Sequence, residues 1–227
     1  MSAKFSSRAY AILAERQATR WERMQAAAAA RPAPAVAFSR LPGAGGEEVG
    51  RLVAEQLDYG FFGREMVDQV ADEIGVDHWT MRGLDERVRT AIERSLSDWF
   101  GRSSFSEDAY LRGMSHAIAT LGERGGVVIV GRGAPFLLPA ERTLRVLLVA
   151  PRATRLERYA SVKQISSERA DAELTRAEQE RSRFAQRQFG VQQADPVLYD
   201  LVVNTGTLGF EGAAGLVVQA LRLRFPA

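Results

Sequence analysis

From Ala35 onward, short apolar runs alternate with longer stretches of helical periodicity. "AVAF" at 35–38, "VVIV" at 127–130, "LRVLLV" at 144–149 and "YDLVVN" at 199–204 read as strands. Uninterrupted apolar runs of this kind suit strands buried on both faces, as in a parallel sheet covered by helices. A fifth, short strand is expected near "YGFFG". The stretch from about 64 to 123 offers no good strand, while "VRTAIERSLSDWF" and "YLRGMSHAIATLGERG" have helical spacing. It reads as a small helical insert between the second and third strands. "EGAAGLVVQALRLRF" closes the chain as an apolar helix suited to covering one face of the sheet.

The first residues follow a different pattern. Lys4, Arg8, Arg16, Arg20, Arg23 and Arg31 stand against Glu15 and Glu22, and an alanine run at 26–30 favours helix. "RPAPA" then breaks it, because proline lacks a backbone donor and biases its predecessor away from the helical region. Residues 1–34 are therefore an appendage with a proline linker, and 35–227 the main domain. Tyr10, Leu13, Trp21 and Met24 fall roughly on one stripe of the appendage, a surface for docking on the body, on a second subunit or on a membrane surface.

A length of 227 residues with 46% hydrophobic content allows one α/β core with a smaller insert. The absence of cysteine excludes disulfides and thiolate metal sites, and His78 and His116 are too few for a histidine-rich one. A net charge of +2 gives no overall basic excess, so a nucleic-acid partner is not expected. No stretch reaches the ~20 apolar residues that span a bilayer. A soluble, cytoplasmic protein is expected.

Against that background "SRLPGAGG" at 39–46 acquires meaning. A glycine turn between a first strand and a helix lets backbone amides converge on an anion, with the helix dipole adding positive potential. Gly43, Gly45 and Gly46 supply the turn, and "EEVGRLVAEQL" begins the helix. Set against G-x-x-x-x-G-K-[ST], Arg40 stands at the first glycine, Gly45 at the second, Gly46 at the lysine and Glu47 at the hydroxyl. The stretch alone fits a plain strand-turn-helix equally well.

The later motifs favour the phosphate loop. "FFGRE" at 61–65, "VVIVGRGA" at 127–134, "ERSRF" at 180–184 and "DPVLYDLVVNT" at 195–205 follow in an order that, with the loop, resembles the cytidylate kinase-like family of P-loop nucleoside monophosphate kinases. The resemblance spans about 36–224. It implies a three-layer P-loop NTPase fold with a five-stranded parallel sheet, a helical acceptor-binding insert, and a lid at about 152–190. It also implies transfer of phosphate from ATP, with Mg²⁺, to a nucleoside monophosphate such as CMP or dCMP. The donor would meet Arg40, Gly43, Ala44, Gly45, Gly46 and Glu47, with Thr205 and Gly206 near the adenine. Arg64 and Arg132 would hold the acceptor, and Arg132, Arg181 and Arg183 would serve catalysis.

This sequence departs from the pattern at several points. The family itself resembles this chain in lacking the loop lysine, so a charge from elsewhere has to replace it. Glu47 is either a Mg²⁺ ligand or an outward-facing residue of the first helical turn. Gly63 and Gly133 stand where aspartates are common in relatives. Arg176, Arg183 and Arg187 share a helical face with Arg181 off that face, which suits either a lid or a solvated helix. His116, without a partner in the sequence, reads as packed or exposed rather than catalytic. Two readings follow: a kinase, or the same fold kept as a nucleotide sensor or an assembly module contacting its partner through residues 1–31.

Overall fold

The computed structural model describes residues 32–63 and 109–226. Residues 1–31 of the N-terminal appendage, Arg64, and the insert residues Trp99, Phe100 and Phe105 lie outside the described residues.

The five expected strands form, as β1 (Ala35–Arg40), β2 (Gly60–Phe62), β3 (Val127–Val130), β4 (Thr143–Val149) and β5 (Leu201–Asn204). They make one parallel sheet in the order β2-β3-β1-β4-β5. β1 lies at its centre, with Phe38 level with Val130 on one side and Val146 on the other. Helices follow as α1 (Gly46–Leu57), α2 (Ala109–Arg124), the single turn α3 (Ala134–Leu137), α4 (Arg152–Lys163), α5 (Ser167–Phe189) and α6 (Thr205–Arg224).

The two-residue period of a strand divides the core between two faces. Val36 and Phe38 point to one face, where α1 contributes Val49 and Val53 and α6 contributes Val217 and Leu221. Ala35 and Ala37 point to the other, against Met114, Ile118 and Leu121 of α2. Residues 109–124, counted by sequence within the insert, therefore complete the three-layer body instead. Their apolar side chains recur at i, i+4 and i+7, and the face they cover is that of Val127 and Ile129. His116 is half-buried on this helix.

Where β5 begins, Asp200 fastens three elements. Its carboxylate accepts from the Arg145 backbone N–H at 2.8 Å and from Arg145 Nη2 at 3.2 Å, and pairs with Arg224 at the end of α6. Burial would raise its pKa, but the hydrogen bonds from Arg145 and Arg224 outweigh burial and hold it below the ordinary 3.8. A depressed carboxylate pKa contributes stability that is present above the unfolded value and lost as pH falls through the folded one. Asp200→Asn is expected to cost about 1–3 kcal/mol at pH 7. In urea unfolding the gap from the parent should shrink as pH is lowered below 3.8.

Candidate active site

The link from β1 to α1 is a tight loop whose carbonyl groups are taken up from outside. Gly43 and Gly45 adopt φ of 78° and 79°, left-handed values that a side chain makes costly. A β-carbon on Gly43 would lie 2.6 Å from the Arg155 carbonyl oxygen, so space as well as dihedral requires glycine. Buried Arg155 donates through Nη1 to the Pro42 carbonyl at 3.2 Å and through Nε to the Ala150 carbonyl at 2.9 Å, and pairs with Glu178 of α5. The Thr205 hydroxyl donates to the Ala44 carbonyl at 2.9 Å while accepting from Arg158 Nη1 at 2.9 Å. Arg158 also lies 4.6 Å from the centre of the Phe210 ring, which packs against Gly45.

These tethers set the direction of the amides. In a trans peptide the C=O and the following N–H point opposite ways. With the Pro42 and Ala44 carbonyls turned onto Arg155 and Thr205, the N–H groups of Gly43 and Gly45 face the other side. The Gly45 carbonyl accepts from Val49 at 3.0 Å, so the Gly46 N–H points out of the helix start. This is the arrangement that receives an oxyanion.

Beside the loop, a cleft of about 690 Å³ opens at the carboxyl ends of β1 and β3. There the chain leaves β1 toward β2 and leaves β3 toward β4, on opposite sides, which is the switch point where open α/β sheets bind ligands. Arg40, Arg132, Lys163, Arg176 and Arg181 line the cleft and outnumber Glu173 and Glu180. The acids are partly engaged, Glu180 with Arg176 at 2.8 Å and Glu173 with Arg169 at 3.2 Å. Arg132 has φ of 53°, a strained value for a long side chain, between Gly131 at 88° and Gly133 at 74°. Such strain at a cleft marks a side chain aimed by its turn.

α5 forms the opposite wall, and ion pairs of Arg152 with Asp171 and Glu178, at 2.6 and 3.3 Å, fasten it to α4. Arg181 reaches across to donate to the Arg40 carbonyl at 3.0 Å. Past α5, Gln193 Nε2 donates to Ser39 Oγ at 2.8 Å, and the Tyr199 hydroxyl donates to the Gln193 carbonyl at 2.7 Å. Burial pushes the Tyr199 pKa up to about 12.

The structure thus brings Arg40, Arg132 and Arg181 together around one cleft and sets the glycine loop beside it. Arg183 is on the exposed side of α5 and does not line the cleft. Thr205, expected beside an adenine ring, is fully buried, and its hydroxyl holds the loop. Glu47 is half-exposed, with Oε2 3.4 Å from Arg51 and Oε1 toward Gly63. Among the described residues no three His, Cys, Asp or Glu side chains gather as a metal site.

Sequence reasoning missed two features. One is the Arg155 tether, for which the three arginines of "PRATRLER" gave no signal beyond that of an ordinary charged helix. The other is an aromatic wall. Phe136 lies 5.2 Å from Phe189 and 6.0 Å from Tyr199, and Phe184 lies 5.7 Å from Phe189, between ring centres. A β-carbon on Gly133 would come 2.1 Å from Phe189, so the aromatic ring fills the space that an aspartate side chain would need there.

Sheet order, glycine loop and switch-point cleft together define an α/β fold of the P-loop type. Residues 35–207 match the cytidylate kinase-like family, and the chain belongs to that family. It is 27% identical over 192 residues to a cytidylate kinase of Aeropyrum pernix, covering 82% of this chain and 98% of that protein. A cytidylate kinase of Thermococcus sibiricus is 33% identical over 100 residues, 44% of this chain and 51% of that protein. A uronate isomerase of Corynebacterium glutamicum is 29% identical over 102 residues, 45% of this chain but 20% of that protein. The crystal structure of an uncharacterized protein from Eubacterium ventriosum shares the fold, with a TM-score of 0.63 at 16% identity, covering 83% of this chain and 98% of that one. No described helix is long and apolar enough to cross a membrane.

Thr205→Val keeps the shape of the side chain and removes the hydroxyl that serves both Ala44 and Arg158. It is expected to lower stability by about 1–3 kcal/mol in urea unfolding, with Thr205→Ser retaining most of it.

Proposed function

We propose that the protein transfers the γ-phosphoryl group of ATP to a nucleoside monophosphate of the cytidylate type. One observation carries the reading: a cationic cleft lined by Arg40, Arg132 and Arg181 lies beside a loop whose amides are turned for an anion. The donor phosphates lie on the Gly43, Gly45 and Gly46 amides, and the acceptor in the cleft. An oxygen of the acceptor phosphate attacks the γ-phosphorus, the bond to the β,γ-bridging oxygen breaks, and ADP and a nucleoside diphosphate leave. Positioning and charge neutralisation are the protein's main tasks in such a transfer, and the arginines can do both.

Mg²⁺ suits this site as an ion carried chiefly by phosphate oxygens and water, which neutralises phosphate charge when bound. Glu47, in the first turn of α1, is the carboxylate that would reach it. Arg132, fixed by its turn, and Arg64 hold the acceptor phosphate, and Arg181 spans from α5 to the end of β1. The aromatic wall of Phe136, Phe184 and Phe189 faces the acceptor base, with stacking where relatives carry an aspartate beside the motif arginine. Closure of α4 and α5 excludes water and so limits hydrolysis of ATP. The missing lysine and hydroxyl favour a second reading, a nucleotide sensor or assembly module that binds without turnover.

ADP formation from ATP and Mg²⁺ with CMP, dCMP, UMP, AMP or no acceptor separates the two. A rate that depends on acceptor and falls about 100-fold or more in Arg132→Ala is expected. ATP binding with no turnover on any acceptor would leave the sensor or assembly reading.

A further inference from the structure

The loop lacks lysine, and the packing of its glycines shows what has taken the space. Gly46, at the lysine position, does not have a positive φ, so its backbone conformation admits other residues. Its constraint is the side chain of Arg40. A β-carbon on Gly46 would come 2.8 Å from Arg40 Cγ, 3.0 Å from Cδ and 3.2 Å from Nε. Farther along, a β-carbon on Gly131 would come 2.3 Å from Arg40 Nη1 and 2.9 Å from Cζ. The arginine thus leaves the end of β1, crosses the first residue of α1, and lays its guanidinium over the end of β3. Two glycines frame the slot it fills.

The root of this side chain is fixed as well. The Arg40 carbonyl accepts from Arg181 Nη1 at 3.0 Å and from Gln193 Nε2 at 3.4 Å, and the neighbouring Ser39 hydroxyl accepts from the same amide. Arg40 lines the cleft, and its side chain passes over Gly46 toward Gly131. A planar fork of donors suits phosphate oxygens, and its charge persists at any working pH.

We propose that Arg40 gives the donor phosphates the positive charge that a loop lysine gives in other P-loop proteins, through the slot between Gly46 and Gly131. Glycine at 46 is then the consequence of the substitution, since a lysine there and Arg40 compete for one space. The inference rests on the phosphotransferase reading for its ligand, but its test does not need turnover.

Binding of ATP, ADP, AMP and adenosine is measured by calorimetry for the intact protein and for Arg40→Met, Arg40→Ala and Arg40→Ala/Gly46→Lys. Arg40→Met keeps an apolar stem in the slot without the charge. It is expected to weaken ATP and ADP about 10- to 100-fold while leaving adenosine unchanged. Moving the cation to position 46 in the double variant is expected to restore tighter ATP binding than Arg40→Ala alone. Equal ATP affinity in the parent and Arg40→Met, or equal losses for ATP and adenosine, would overturn the proposal. So would a double variant that melts like the parent yet binds ATP no better than Arg40→Ala. A parent that binds ATP but turns over no acceptor would count against the kinase reading alone and leave this comparison intact.

Discussion

The carbonyl oxygens of Pro42 and Ala44 are held by Arg155 and Thr205, and the site is built on those two bonds. A peptide plane fixed at its oxygen is fixed at its N–H, so each tether turns an amide into the loop. Without them the glycines would have many conformations and no reason to choose this one. The tethers also join distant parts of the chain. Arg155 is on α4 and pairs with α5, and Thr205 opens α6, so the loop, α4, α5 and the end of the sheet share one network.

Arg40 reverses the usual distribution of roles in such a loop. Where the helix would bear a cation and the strand end a glycine, here the strand end bears the cation and the helix the glycine. The exchange makes space at Gly46 the condition for charge at Arg40. A similar logic governs Gly133, where the Phe189 ring takes up the room beside it. In both places a missing polar side chain is matched by a neighbour that needs its volume. Absent motif residues therefore argue less strongly against function than they do in the sequence alone.

How much of this was legible depended on the distance over which each interaction acts. The parallel sheet was readable because "VVIV" and the "VLLV" that ends β4 are uninterrupted apolar runs, which strands covered on both faces need. Gly43 and Gly45 were readable because a turn into a helix leaves a local mark. Arg132 stood out for its place at a strand end between glycines. The tethers were not readable, since Arg155 meets Pro42 across 113 positions and its sequence neighbours look like an ordinary charged helix. Arg183 and Arg181 are alike in sequence, and only the docking of α5 decides which faces the cleft. Residues 109–124 have helical spacing whether they belong to an insert or to the body, and what distinguishes the cases is the sheet face they cover.

On the proposed function, the loop amides, aimed by their tethered carbonyls, receive the donor phosphates. Backbone ¹H–¹⁵N shifts during titration with ADP, compared with adenosine, test it most directly. The Gly43, Gly45 and Gly46 resonances are expected to move with ADP and stay still with adenosine. Movement confined to residues around Phe136 and Phe189, with those three glycines unchanged, would contradict it.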